Sequence, residues 1–223
     1  MTVDTSTGGL DLHGRLRDVP RPTPVLSRER EQALTSRQRE LLDQLGALFD
    51  DGFADLTMAE IARELSCSLR TLYELAPSRD ELLLMVIDRN LWRIGRTAAG
   101  ALADEMAPLD ALRAYLQAAT VAVARTTPAF ARDLATVPAA QQLNDAHSDY
   151  LVAVTRCLLD LAVERGEVAD VDTGAIARVM AGLGRDLSRP EVISTLRSSP
   201  KDAADAAVDV ILRGLRQPRA GSA

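Results

Sequence analysis

The chain has 223 residues, 47% of them hydrophobic, a formal net charge of −6 and a pI near 5.0. That length can bury one large or two small cores, and the absence of a long uncharged apolar run excludes a membrane-spanning helix. The first twenty residues have no apolar signal-peptide core, and Cys67 and Cys157 alone imply no disulfide framework, so the cytoplasm is the expected compartment. The two cysteines, His13 and His147 lack zinc-ligand spacing, so no metal and no cofactor is expected.

Residues 1–26 are rich in Thr, Ser, Gly and Pro and end in PRPTP, which predicts a flexible N-terminal arm. Two readings of it stay open: a tail without a role, or a basic arm using Arg15, Arg17 and Arg21 in a DNA minor groove. Asp11 and Asp18 count against the second. The first helix is expected to start between Ser27 and Ser36 and to run to Asp51. Its buried stripe is Leu41, Leu42, Leu45, Leu48 and Phe49. Gly52 suits the left-handed position after it, with Phe53 packing back.

Residues 57–81 carry the densest local signals. Thr57 and Glu60 have capping-box spacing, and Leu56 and Ile61 have that of a hydrophobic staple. Met58, Ile61, Ala62 and Leu65 share one helical face. Ser66-Cys67-Ser68 interrupts that pattern, Ser68 can cap a second helix, and Pro77 ends it. Ser78 and Glu81 then open a further helix. Two helices of about two turns around so short a turn predict a helix-turn-helix, whose second helix can enter a major groove. Cys67 reads as a small packed residue.

Everything beyond is helical in pattern, without strand alternation. A helix from Ser78 carries Leu82, Leu83, Val86, Ile87, Leu91 and Ile94. Others are expected at about 108–126, after Pro128, from Pro138 to Arg165-Gly166, after Asp172, and from Pro200 to Leu215. The expected fold class is all-α: a flexible arm over 1–26, a three-helix helix-turn-helix domain over 27–80, and a helical effector-binding and dimerisation domain over 81–217.

Four stretches, LFDDGF (48–53), TMAEIARELSCS (57–68), TLY (71–73) and PSRDELL (77–83), make Arg37 to Val86 resemble the DNA-binding domain of TetR-family transcriptional regulators. The resemblance covers about a quarter of the chain. It implies phosphate contacts from Thr57, Tyr73, Arg79 and Arg37, and base-edge contacts from the start of the recognition helix, at Ser68, Leu69, Arg70 and Thr71. It also implies a homodimer formed by the last two helices, a pseudo-palindromic operator and a small-molecule effector. On those helices Val179, Leu183, Ala204, Val208, Ile211 and Leu215 are the interface candidates, beside small residues at Gly182, Gly184, Ala203 and Ala207. The sequence departs from the family pattern at Ser66 in the turn and at Glu74, Leu75 and Ala76 in the recognition helix.

The implied function is a ligand-responsive DNA-binding regulator, a repressor acting as a homodimer. The alternative is a helical dimer that has lost DNA binding and acts through protein partners. Residues 36–80 hold five arginines against nine acids, a local charge of −4, which suits that alternative. No nucleophile–base pair or phosphate-binding glycine loop points to an enzyme. The effector is expected to be apolar, with Trp92, Tyr115, Phe130, His147 and Tyr150 as candidate contacts.

Overall fold

The computed structural model describes residues 12–103, 105–123 and 127–216. Among them, secondary structure is helical apart from one isolated bridge between Val168 and Arg216. The chain divides into two compact units. One, the reader unit, draws on residues 22–96 and 122–148; the other, the cavity unit, on the segment before residue 22, on 97–121 and on 149 onwards.

In the reader unit, α2 (Arg28–Ala33) leads into α3 (Ser36–Asp50), with Thr35 and Gln38 forming a capping box between them. The first helix is thus two, broken where Leu34 turns extended and buries its side chain. Gly52 takes φ +108°, and its neighbour Phe53 is buried with its ring 5.6 Å from that of Phe49. A left-handed backbone there suits glycine, which has no Cβ to clash.

Next come α4 (Met58–Glu64) and α5 (Leu69–Leu75). Thr57 and Glu60 cap α4 reciprocally, and the Ser68 hydroxyl accepts from the Thr71 N–H at the start of α5. Ala76, before Pro77, is extended and ends α5. The inward sides of these helices, Leu41, Leu45, Phe49, Ile61, Leu72 and Leu75, are almost wholly buried in one core. Each such side chain contributes about 1.5–3 kcal/mol through burial.

Ser78 caps α6 (Arg79–Gly100) through the Glu81 N–H. The reader core also takes in α8 (Pro128–Leu134) and the start of α9 (Pro138–Glu164): Phe130 packs edge-on against Phe53 with centroids 5.5 Å apart, and Ala140 is fully buried. The compact unit around the helix-turn-helix therefore extends past the expected boundary at residue 80 and recruits a distant segment. Phe53 and Phe130 explain why: three short helices leave an apolar edge that α8 covers.

The cavity unit is built on α7 (Pro108–Val123), the rest of α9, α10 (Thr173–Leu187) and α12 (Pro200–Leu215), with the short α11 (Pro190–Ile193) between the last two. Its core joins Leu109, Leu112, Leu116, Leu158, Met180 and Leu212. Arg113 Nε donates to Asp209 at 2.7 Å and Thr120 Oγ1 to Asp205 at 3.1 Å, tying α7 to α12.

The N-terminal segment departs from the expected free arm. Residues Leu12–Arg17 form α1, and Leu12 and Val19 are buried in the cavity unit's core with Leu16 packed against it. Arg15 is hydrogen-bonded to Glu164 on α9. Leu12, Leu16 and Val19 follow the i, i+4, i+7 spacing of an apolar stripe; the surrounding polar and Pro-rich composition hid it. Residues 22–26 also pack, with Leu26 buried in the reader core and the Val25 N–H donating to Asp88 Oδ2 at 2.9 Å. The arm's first eleven residues lie outside those described.

Candidate nucleic-acid interface and an adjoining cavity

Helix α5 presents two opposite faces. Leu72 and Leu75 point into the reader core, while Leu69, Arg70 and Tyr73 point outward, being 43%, 89% (side chain) and 53% exposed. Thr71 is half-buried, its hydroxyl 2.8 Å from that of Ser68. Ser68, Leu69, Arg70, Thr71 and Tyr73 thus sit together on one short helix, and Tyr73 stands clear of the core rather than packing on α3. Ser66 in the turn has φ +49°, a left-handed conformation in a residue with a side chain. This is where the sequence departs from glycine, and the cost is of order 1–2 kcal/mol.

Charge on this face is nearly cancelled. Arg70 Nε donates to Glu74 Oε1 at 3.0 Å, one turn along α5. Both groups are exposed, so the pair contributes little to stability and a phosphate can compete for the guanidinium. Arg37, in the first turn of α3, is likewise exposed and pairs with Glu40 at 3.3 Å.

Thr57, at the start of α4, and Arg79, at the start of α6, both have partners within the chain. The Thr57 hydroxyl donates to Glu60 Oε2 at 2.7 Å and its N–H donates to the same oxygen at 2.8 Å. Those bonds, the hydroxyl first, hold the Glu60 carboxyl below its usual range. A carboxylate therefore occupies the donors that a phosphate needs. Arg79 turns inward: its guanidinium donates to the carbonyl oxygens of Phe53, Ala54 and Leu56, the Ala54 bond at 2.9 Å. It clamps the loop between α3 and α4, and most of its donors are used there, which leaves little of the guanidinium for a phosphate.

Three frame residues escaped the sequence reading. Asp133, buried on α8, accepts from the N–H groups of Phe53 at 2.6 Å and Ala54 at 2.9 Å through one oxygen. These bonds, Ala54 first, hold its carboxyl below the usual value. Arg30 donates to the Leu75 carbonyl at 2.9 Å, placing a cation on the last turn of α5. Arg39 donates to the Gln32 carbonyl at 3.2 Å at the end of α2. Their partners are 7 to 80 residues away and carry no local signature.

The five candidate effector contacts divide. Tyr115 and Tyr150 line a cavity of about 370 Å³ in the cavity unit, together with His13, Arg17, Arg21 and Leu102. The other three belong to the reader unit. Phe130 packs on Phe53, and the Trp92 ring stands edge-on to His147 at 5.2 Å, with His147 Nε2 3.2 Å from the buried Asp88. These three pack within the reader unit and do not line this cavity. The cavity is also less apolar than expected, because α1 and the residues after it bring cations to its wall.

The last two helices likewise separate the candidates. Ala204 and Val208 are buried against their own chain's core, so they present no surface to a partner. Val179 is 58% exposed, Leu183, Ile211 and Leu215 are half-buried, and Val210, overlooked in the sequence, is 61% exposed. The phase of α12 decides this: 204, 208 and 212 form the inward row.

No protein-family model and no curated protein matches the chain. Solved structures do. A TetR regulator from Streptomyces coelicolor is 26% identical, with 82% of this chain and 99% of that one covered and a TM-score of 0.52. The TetR-family regulator PfmR from Thermus thermophilus is 24% identical, covering 79% and 99% with a TM-score of 0.58. The chain has the TetR-regulator fold. A regulatory protein in the tetR family from Rhodococcus, 19% identical, has the same fold, covering 83% and 100% at a TM-score of 0.64. Within this fold, α4 and α5 have the helix-turn-helix arrangement.

Proposed function

We propose that the protein is a TetR-family transcriptional regulator: a homodimer that binds a pseudo-palindromic operator, represses from it, and responds to a small molecule in the cavity. The observation that carries this reading is α5, whose outward face offers Leu69, Arg70 and Tyr73 while its inward face is locked in the reader core. Arg70 is the bidentate guanine reader, and Leu69 and the Thr71 methyl are thymine-methyl contacts. Ser68 caps the helix that carries them, and Tyr73 and Arg37 are the phosphate contacts.

Val179, Val210, Leu183 and Ile211 are the proposed dimer surface, since exposed apolar side chains on paired helices favour burial against a second copy. Helix α6 contributes residues 79–96 to the reader unit and 97–100 to the cavity unit, which supports it as the transmitter. A ligand acts only through different affinity for two arrangements of the dimer.

Selection of bound sequences from a random DNA pool tests this. The expected result is a two-fold symmetric motif whose binding weakens steeply with salt and falls about tenfold or more with Arg70→Ala. A rise in transcription of neighbouring genes on deletion tests repression. A second reading, a dimer acting through protein partners without DNA, is favoured by Glu74 on Arg70 and Glu60 on Thr57. A pool that yields no enriched motif would select it.

A further inference from the structure

The cavity has an unusual wall. Helix α1, encoded before the DNA-reading segment, is held in place by the buried Leu12 and by the hydrogen bond from Arg15 to Glu164. It and the following residues bring Arg17 and Arg21 to the cavity's edge. Among the described residues neither arginine makes a hydrogen bond or ion pair, although most arginines of the chain do. No carboxylate lines the cavity beside them. Two unneutralised cations on one concave surface make its potential positive.

The interior adds a second, independent sign. Tyr115 is almost fully buried and lines the cavity, yet its hydroxyl has no hydrogen-bond partner among the described residues. A hydroxyl that lines a cavity without a protein partner is free to donate to a bound acceptor. Burial pushes its ionisation far above neutral pH, so it remains a donor. The remaining wall is formed by the apolar Leu16, Ala99, Leu102 and Val154 together with His13 and Tyr150.

We propose that this cavity binds an amphipathic carboxylate, its head held by Arg17 and Arg21, its apolar body against Leu102 and Val154, with the Tyr115 hydroxyl donating to a ligand oxygen. Guanidinium groups match a carboxylate's two oxygens in a way that ammonium groups do not. The N-terminal segment is then part of the ligand site rather than a DNA-contacting arm. This deepens the ligand response proposed above and rests on that reading for its regulatory meaning, though not for the binding itself.

Calorimetric titration of the full-length protein without DNA tests it, using decanoate, decanol and decyltrimethylammonium as matched probes below their micelle concentrations. Decanoate is expected to bind about tenfold more tightly than decanol, and the cationic probe most weakly. Arg17→Gln with Arg21→Gln should erase the preference for acid over alcohol while leaving decanol affinity unchanged. Tyr115→Phe should weaken decanoate binding several-fold. Unchanged circular dichroism and melting temperature verify folding, and the single Arg21→Gln variant, outside any helix, repeats the test if the double variant does not fold. Equal binding of acid and alcohol, a preference that survives the arginine substitutions, or no binding of decanoate overturns the proposal. An enriched DNA motif without decanoate binding overturns it alone, whereas decanoate selectivity without any DNA motif leaves it standing and removes the operator reading.

Discussion

In the reader unit, charged side chains are turned onto the backbone. Arg79 serves the carbonyls of Phe53, Ala54 and Leu56, Asp133 serves the N–H groups of Phe53 and Ala54, and Arg30 serves the end of α5. In the cavity unit, Arg17, Arg21 and the Tyr115 hydroxyl have no partner among the described residues, nor has the hydroxyl of the buried Thr155. The contrast has a physical meaning. A unit that holds a reading helix at fixed orientation needs its loops saturated with bonds, because each unmade bond permits movement. A unit that accepts a ligand must keep hydrogen-bonding capacity in reserve.

Breaking the reader's saturation should give the largest effect. Arg79→Ala removes three bonds to carbonyl oxygens, of which only that of Phe53 keeps another donor among the described residues, the Leu56 N–H, and is expected to destabilise the protein by about 2 kcal/mol in urea unfolding. Arg79→Lys should recover little of this, since one ammonium cannot span the three acceptors. If Arg79→Ala instead weakens DNA binding at unchanged stability, the guanidinium belongs to a phosphate and the contrast between the units fails.

Asp133→Asn should cost about 1–2 kcal/mol at neutral pH. Because hydrogen bonds depress the folded carboxyl below its ordinary value of 3.8, its stabilisation is complete above that value and is lost as pH falls through the lower, folded one. The wild type should therefore lose stability more steeply than Asp133→Asn below about pH 4; parallel acid-unfolding curves would contradict this.

Smaller effects sharpen the picture of the outward face. Glu74→Gln frees Arg70 and removes a charge facing phosphate, so affinity for the selected DNA should rise about fivefold at low salt, and less at high salt. No change would mean that Glu74 does not face DNA. Smallest of all, Ser66→Gly relieves the left-handed turn but loosens the unfolded chain, leaving a net gain of about 0.5–1 kcal/mol, read as a higher melting temperature.

Much of this was legible without coordinates because it is local. Thr57 with Glu60, Ser68 before Leu69, Ala76 before Pro77, and Gly52 after Asp51 each act within four residues, and each stands in the structure as its spacing implies. Leu69, Arg70, Thr71 and Tyr73 lie on α5 with Ser68 as its cap, as the local spacing implies. What escaped was long-range or masked by composition. Asp133 and its partners lie about 80 residues apart, and α1 hides in a polar stretch. Ala204 and Val208 were assigned to the wrong side because an apolar stripe does not say whether it faces its own chain or another.

By itself the sequence determined the helices, their caps and the two faces of the reading segment, since capping, proline stops and a 3.6-residue period are properties of neighbours along the chain. Only the tertiary structure decided which charges remain available. Arg79, Arg70 and Arg17 are alike as residues. One is bound to three carbonyls, one is shared with a carboxylate, and one lines a cavity with no partner among the described residues. A side chain's availability depends on what folding brings within about 3 Å of it, and that is set by contacts between segments far apart in the chain.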